Sequence, residues 1–245
     1  MIVRSIKTRI FREGDDLFDF ITHNLKRIPE RSVIVVTSKI VALAEKRTAP
    51  VTTLKAKEAL IRAESDLAVP TKYVWLTVKD GMVMASAGID ESNADGKLIL
   101  LPRDSFEAAR LLRAKLRLHY RVKNLGVLVT DSRTVPLRAG VVGVALGYAG
   151  FRGIKDYRGT PDIFGRKFKF SRTDVADSLA AAAVLPMGEG REQQPLALIL
   201  GAPLDFCERV DRKELCIDLS DDMYRPLFAK LPQPQNSTKK PPEIS

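Results

Sequence analysis

Residues 73–86 read YVWLTVKDGMVMAS, and the Asp80-Gly81 pair near their centre decides how the fold is read. Both residue types tolerate positive φ, which the tightest hairpin turns require at both central positions. The flanks, Tyr73–Val78 and Met82–Ser86, are rich in β-branched, aromatic and apolar side chains, as strands are. An antiparallel hairpin in a chain that also carries helical stretches argues against a regular βαβ array. It predicts a mixed α/β (α+β) fold with antiparallel and mixed sheets. The hairpin also delivers the chain into AGIDESN at 87–93.

Working outward, residues 2–6 read as a short strand. Asp15–Arg27 has Leu17, Phe18, Ile21 and Leu25 at helical spacing, with an aspartate at its start. SVIVVTS, 32–38, is a buried strand by its β-branched run, and Ile40–Arg47 then turns into a loop or short helix. Leu54–Leu67 and Asp104–Tyr120 read as helices. Leu125–Thr130 reads as a buried strand ending at Asp131. Thr173–Leu185 reads as an alanine-rich helix, with the MGEGREQ loop after it and a strand at Pro195–Leu200. Trp75 is expected in the core. A body of 1–230 precedes a tail, 231–245, whose Pro232, Pro234, Pro241 and Pro242 lie among polar residues. Such a segment buries too little apolar surface to offset its ordering cost and is expected to be disordered.

The chain has 245 residues, 45% of them hydrophobic, and a formal charge of +10. That suits a globular domain, or two small ones. No apolar run approaches the roughly 20 residues that cross a bilayer. The charged start MIVRSIKTRIF lacks a signal-peptide core, so a cytoplasmic protein without membrane association is expected. Two cysteines, Cys207 and Cys216, make no disulfide framework, and with two histidines there is no zinc-type cluster. Arg110, Arg113, Lys115, Arg117, Arg121 and Lys123 gather on one helix and its end, but no aromatic RNA-binding signature accompanies them. The positive field is read as attracting small anionic substrates, with nucleic acid not expected.

Three acidic motifs carry the candidate chemistry: AGIDESN around Asp90, TDSRT around Asp131, and MGEGREQ around Glu189. Carboxylate and hydroxyl oxygens are hard ligands suited to Mg²⁺ or Mn²⁺ bound together with phosphates. Each motif has a competing structural use. Asp90 fits an Asx turn or helix cap, Asp131-Ser132 a polar strand end, and Gly188-Glu189-Gly190 a helix C-cap loop. Glycines at 140, 143, 147, 150 and 153 do not spell a dinucleotide fingerprint and read as close backbone packing. His23 and His119 stand in no motif and read as surface or packing residues.

These motifs and the runs between them resemble the coenzyme F420-0:γ-glutamyl ligase family. The matching stretches are EGDDL at 13–17, VIVVTSKIVALAEKR at 33–47, SAGIDESNA at 86–94, LGVLVTDS at 125–132, RAGVVGVALGYAGF at 138–151, KDYRGTPDIFGRKFK at 155–169, DVADSLAAAA at 174–183 and MGEG at 187–190. They are collinear over roughly 1–203. The resemblance implies a two-lobed, intertwined homodimer with its site in an interface groove. It implies a ligase in which GTP activates a carboxylate as an acyl phosphate that the amine of L-glutamate attacks. It implies a metal site of Asp90, Asp131, Ser132 and Glu189 for one or two Mg²⁺ or Mn²⁺ ions, with K⁺ as a further ion. Nucleotide contacts fall on Thr8, Arg9, Ile10, Ser38, Lys39, Asn93, Met187, Gly188, Gly190 and Arg191. Catalytic roles fall on Asp131 and Arg138.

The chain also departs from the family pattern. Leu43 stands where the family usually has a lysine, and the first nucleotide segment, Lys7–Ile10, is short, which leaves ATP beside GTP. After Asp131-Ser132 the chain reads Arg133-Thr134-Val135-Pro136-Leu137-Arg138, where the family commonly has Asn-Gly-Arg or Phe-Gly-Arg. That segment leaves open an acceptor other than F420-0, such as a folate, while Leu43 and the short first segment leave open a nucleotide- or nucleic-acid-binding homologue without catalysis.

Overall fold

The computed structural model describes residues 1–50 and 53–228. The expected tail at 231–245 lies outside the described residues. In chain order the elements are β1 (Ile2–Ile6), α1 (Leu17–Asn24), β2 (Ser32–Thr37), α2 (Ser38–Ala44), β3 (Thr48–Pro50), α3 (Leu54–Ala63), β4 (Leu67–Pro70), β5 (Trp75–Lys79) and β6 (Met82–Ala85). Then come β7 (Lys97–Ile99), α4 (Ser105–Tyr120), β8 (Leu125–Thr134), β9 (Val141–Ala149), β10 (Ile154–Asp156), β11 (Arg172–Asp174), α5 (Val175–Met187), β12 (Leu196–Leu200) and α6 (Arg225–Phe228). The class is mixed α/β, with antiparallel and mixed sheets, as the hairpin argument predicts. The described residues divide into two compact units, one of 1–49 and 99–215, the other of Pro50, 53–98 and 216–228.

The first unit is organised by a five-stranded sheet in the order β1-β12-β2-β8-β9. Only β2 and β8 run parallel; the other pairs are antiparallel. Both central strands are near-continuous apolar runs because both of their faces are covered. Val33, Val35, Leu128, Ala145, Ala197 and Ile199 pack with Ala176, Leu179, Ala180, Ala183 and Met187 of α5. Ile34, Val36, Val127 and Val129 alternate to the other face and are fully buried there. α4 contacts β8 and β9, and α2 contacts β2 and β8. Helix starts follow capping chemistry: Asp16, Asp104 and Asp174 each accept a hydrogen bond from the backbone N–H three residues on.

β9 was not apparent as a strand in the sequence, because its glycines hide the apolar alternation. They serve close packing. A Cβ on Gly143 would stand 2.5 Å from the Ala180 carbonyl oxygen of α5, and one on Gly147 would stand 2.4 Å from the Phe106 nitrogen of α4. β8 runs four residues past the expected end at Thr130, through Thr134, because the polar Asp131–Thr134 segment pairs with Val141–Val144. The alanine-rich helix begins and ends two residues later than expected, at Val175 and Met187.

The second unit holds α3 and the three-stranded meander β4-β5-β6. The Asp80-Gly81 turn has φ of 52° and 75°, the paired positive values its hairpin needs. Trp75 is half-buried rather than in the core, and the Arg62 guanidinium lies 4.4 Å above its ring. His119 makes edge contacts with Phe18 and Tyr120, and His23 is exposed. Cys207 and Cys216 are free thiols.

Candidate functional site

The register of the five-stranded sheet decides what can meet. Thr37 pairs with Thr130 across the parallel pair β2 and β8. Leu196 pairs with Val36 on one side and with Ile6 on the other. Ile6, Leu196, Val36 and Val129 therefore form a row across β1, β12, β2 and β8, with Thr37 and Thr130 one residue beyond it. Four segments leave or enter the sheet beyond that row: 7–10 after β1, 38–39 after β2, 131–134 in β8, and the 187–195 loop into β12. Carboxyl ends of parallel strands are where open α/β sheets bind ligands.

Backbone bonds tie these segments together. Thr8 N–H donates to the Gln193 carbonyl at 2.9 Å, and Thr37 N–H donates to the Pro195 carbonyl at 3.0 Å. Thr8 is buried, with its hydroxyl on the Arg9 carbonyl, while Arg9 and Ile10 are exposed. Arg9 pairs with Asp15 at 2.5 Å. The backbone N–H of Arg12 and the Arg9 guanidinium hold the Asp15 carboxyl below its ordinary range. Ser38 opens α2, is buried, and donates from its hydroxyl to Asp131 Oδ1 at 3.3 Å. Lys39 beside it is half-buried.

The two ends of the TDSRT motif behave differently. A bulge leaves Leu146 unpaired between Val129↔Gly147 and Thr130↔Ala145, immediately before Asp131. Such irregularities re-aim side chains at strand ends. Strand alternation then puts Asp131 and Arg133 on one face and Ser132 on the other. The contacts agree. Asp131 meets Ser38 and the Arg133 guanidinium, whereas the Ser132 hydroxyl donates to the Glu189 carboxylate beyond α5. Glu189 is exposed between Gly188 and Gly190, and Met187 is buried in the core beneath them. Gly188 caps α5, its N–H on the Val184 carbonyl. Arg191 is exposed in the same loop, and Arg138 is exposed on the β8–β9 turn, its N–H on the Val135 carbonyl at 3.1 Å.

Asp90 and Asn93 belong to the second unit. Asp90 follows the 3-10 turn Ser86–Gly88 and accepts from the Ser92 N–H at 2.7 Å and the Ser92 hydroxyl at 2.9 Å, an Asx turn. Asn93 is exposed, with φ of 51°.

The oxygens of Asp131, Ser132 and Glu189 fit a hard dication by type, but only Ser132 and Glu189 meet, while Asp131 faces Ser38 and Arg133 on the other side of β8. Among the described residues no three His, Cys, Asp or Glu side chains stand close enough to hold a metal by themselves. Among the described residues no helix is long and apolar enough to cross a membrane. Two further side chains join the site: Arg133 is buried against Asp131, and Glu192 folds back so that its carboxylate accepts the Gly190 N–H at 2.7 Å. No spacing rule signals either contact.

The F420-0:Gamma-glutamyl ligase family pattern matches residues 5–201 of this chain. The chain belongs to that family. Among proteins similar to it, the coenzyme F420:L-glutamate ligase of Methanopyrus kandleri is 35% identical over 212 residues, covering 79% of this chain and 83% of the relative. That of Archaeoglobus fulgidus is 32% identical over 210 residues, covering 78% and 84%. That of Methanococcus maripaludis strain C7 is 30% identical over 216 residues, covering 81% and 86%. The family match takes in all four segments at the sheet edge and the Asp90 turn.

Proposed function

We propose that this chain joins L-glutamate, through an amide bond, to a carboxylate of an acidic acceptor, with coenzyme F420-0 the leading candidate and a nucleoside triphosphate as driver. Family membership and the relatives' names support glutamate ligation. The observation that carries the nucleotide reading is the row at the sheet edge, where segments 7–10, 38–39, 131–132 and 187–191 emerge together. Thr8, Arg9, Ile10, Ser38, Lys39, Met187, Gly188, Gly190 and Arg191 are assigned to the nucleotide. The triphosphate is GTP by family resemblance, with ATP the other candidate.

Asp131, Ser132 and Glu189 would hold Mg²⁺ or Mn²⁺, which supplies charge neutralisation on the phosphates when bound. The roles of Asp90 and Asn93, and of K⁺, rest on the resemblance alone. In the proposed reaction the acceptor carboxylate attacks the γ-phosphate and nucleoside diphosphate leaves. The amine of glutamate then attacks the acyl phosphate and releases phosphate. Ser38 and Arg133 orient Asp131 throughout, and Arg138 is assigned to an anionic group of a substrate. Water must be kept from the acyl phosphate, which calls for a closed site and fits the two-lobed homodimer that the resemblance implies. Ile163, Phe164 and Phe170 are exposed apolar side chains suited to such a contact.

A second acceptor class, the folates, is favoured by the altered 133–138 segment. It keeps the chemistry and changes the pathway. The test is release of nucleoside diphosphate by purified protein with Mn²⁺ or Mg²⁺. Release that needs glutamate and F420-0 or a reduced folate together supports the reading. Release without either, or none at all, counts against it.

A further inference from the structure

The loop between α5 and β12 is anchored at both ends. Gly188 N–H is held by the Val184 carbonyl, the Gln193 carbonyl by Thr8 N–H, the Pro195 carbonyl by Thr37 N–H, and the Gln194 side chain by the Ser5 hydroxyl. The exposed stretch Gly188–Glu192 arches between those anchors. Glu192 turns back into the arch. Its Oε2 accepts the Gly190 N–H at 2.7 Å. A Cβ on Gly188 would stand 2.5 Å from Glu192 Cδ, and one on Gly190 would stand 3.3 Å from each carboxylate oxygen. The carboxylate thus lies across both glycines, over the backbone that glycine opens to an incoming oxyanion.

We propose that Glu192 is a specificity-determining residue of this loop: its carboxylate is a resident oxyanion on the Gly188–Gly190 arch, and a polyphosphate binds there by displacing it. The inference deepens the nucleotide reading above and rests on it. A phosphate oxygen and the Glu192 carboxylate need the same N–H, and two anions repel at that spacing. Inorganic phosphate offers little against an acceptor tethered two residues away. A metal-bound polyphosphate brings several oxygens and its own counter-charge, so it wins the exchange. The carboxylate therefore screens weak anions out of the loop.

The test is calorimetric titration of the whole chain with Mg²⁺-tripolyphosphate, comparing the parent with Glu192→Gln and Glu192→Ala. Removing a competing charge-assisted acceptor at an exposed site should tighten binding about three- to tenfold in both variants. Their unfolding temperatures should stay at the parent's value. Equal or weaker binding in both variants overturns the proposal and makes Glu192 a brace for the loop. No tripolyphosphate binding by any of the three also overturns it. Nucleotide turnover by the parent separates the two readings. Turnover with unchanged affinities sinks the Glu192 proposal alone, whereas absence of both binding and turnover sinks the nucleotide reading with it.

Discussion

Arg133 and Asp131, two residues apart on one face of β8, form an ion pair that leaves the arginine's Nε and Nη2 buried without a hydrogen-bond partner. The guanidinium side chain is 9% exposed and the carboxylate 24%. The guanidinium's hydrogen bond goes to the carboxylate that ends the apolar run of the strand and fixes its position. Each member of such a pair depends on the other, because a charge left alone there is poorly solvated.

That dependence is measurable. A double-mutant cycle with Asp131→Asn and Arg133→Met, read by urea unfolding, should give a coupling energy of about 1–3 kcal/mol. Additive effects of the two substitutions would show that the pair does no more than share a strand face.

Asp131→Asn alone should leave the fold intact and lower glutamyl transfer by at least about a hundredfold, since removing a carboxylate from a dication site forfeits several kcal/mol of charge stabilisation. Circular dichroism and product formation check the two halves. A folded Asp131→Asn protein with near-parent activity removes Asp131 from the chemistry.

Gly143→Ala tests the packing of α5 on β9. The new methyl would meet backbone, the Ala180 carbonyl at 2.5 Å, so the helix itself must move. A loss of about 1–3 kcal/mol in unfolding free energy is expected. An unchanged denaturation midpoint would mean the helix lies farther from the sheet.

Asp174, the N-cap of α5, has its carboxyl pushed up from 3.8 to about 6, first by burial and then by the neighbouring Asp177. The folded chain keeps this proton to higher pH than the unfolded chain does. Its stabilising contribution is therefore complete below about pH 4 and is lost as pH rises through about 6. Asp174→Asn keeps an acceptor for the Asp177 N–H and removes the titration. The parent's urea midpoint should fall relative to the variant's between pH 4 and 7. Parallel midpoints over that range would contradict the raised value.

Much of the fold was readable locally. The Asp80-Gly81 turn, the capping aspartates and the β-branched run of β2 each announce a structure from a few adjacent residues. β9 was hidden because glycines at 143 and 147 replace the side chains whose alternation marks a strand. The continuation of β8 was hidden because Asp131–Thr134 is polar and gains its strand character from pairing with Val141–Val144. The candidate segments were visible as motifs, but their meeting at one sheet edge depends on pairings between residues as distant as Ile6 and Leu196. Register of that kind leaves no mark on either strand alone. The Glu192 carboxylate escaped for a similar reason, since nothing in GEGRE distinguishes a side chain that folds back from one that points to solvent.

The measurement that bears most directly on the account is the mass of the product formed from F420-0 or a reduced folate with L-glutamate, GTP or ATP, and Mn²⁺. The account predicts a gain of one or more glutamyl units on one of these acceptors, with one nucleoside diphosphate released for each. An acceptor that keeps its mass while nucleotide stays intact would contradict it.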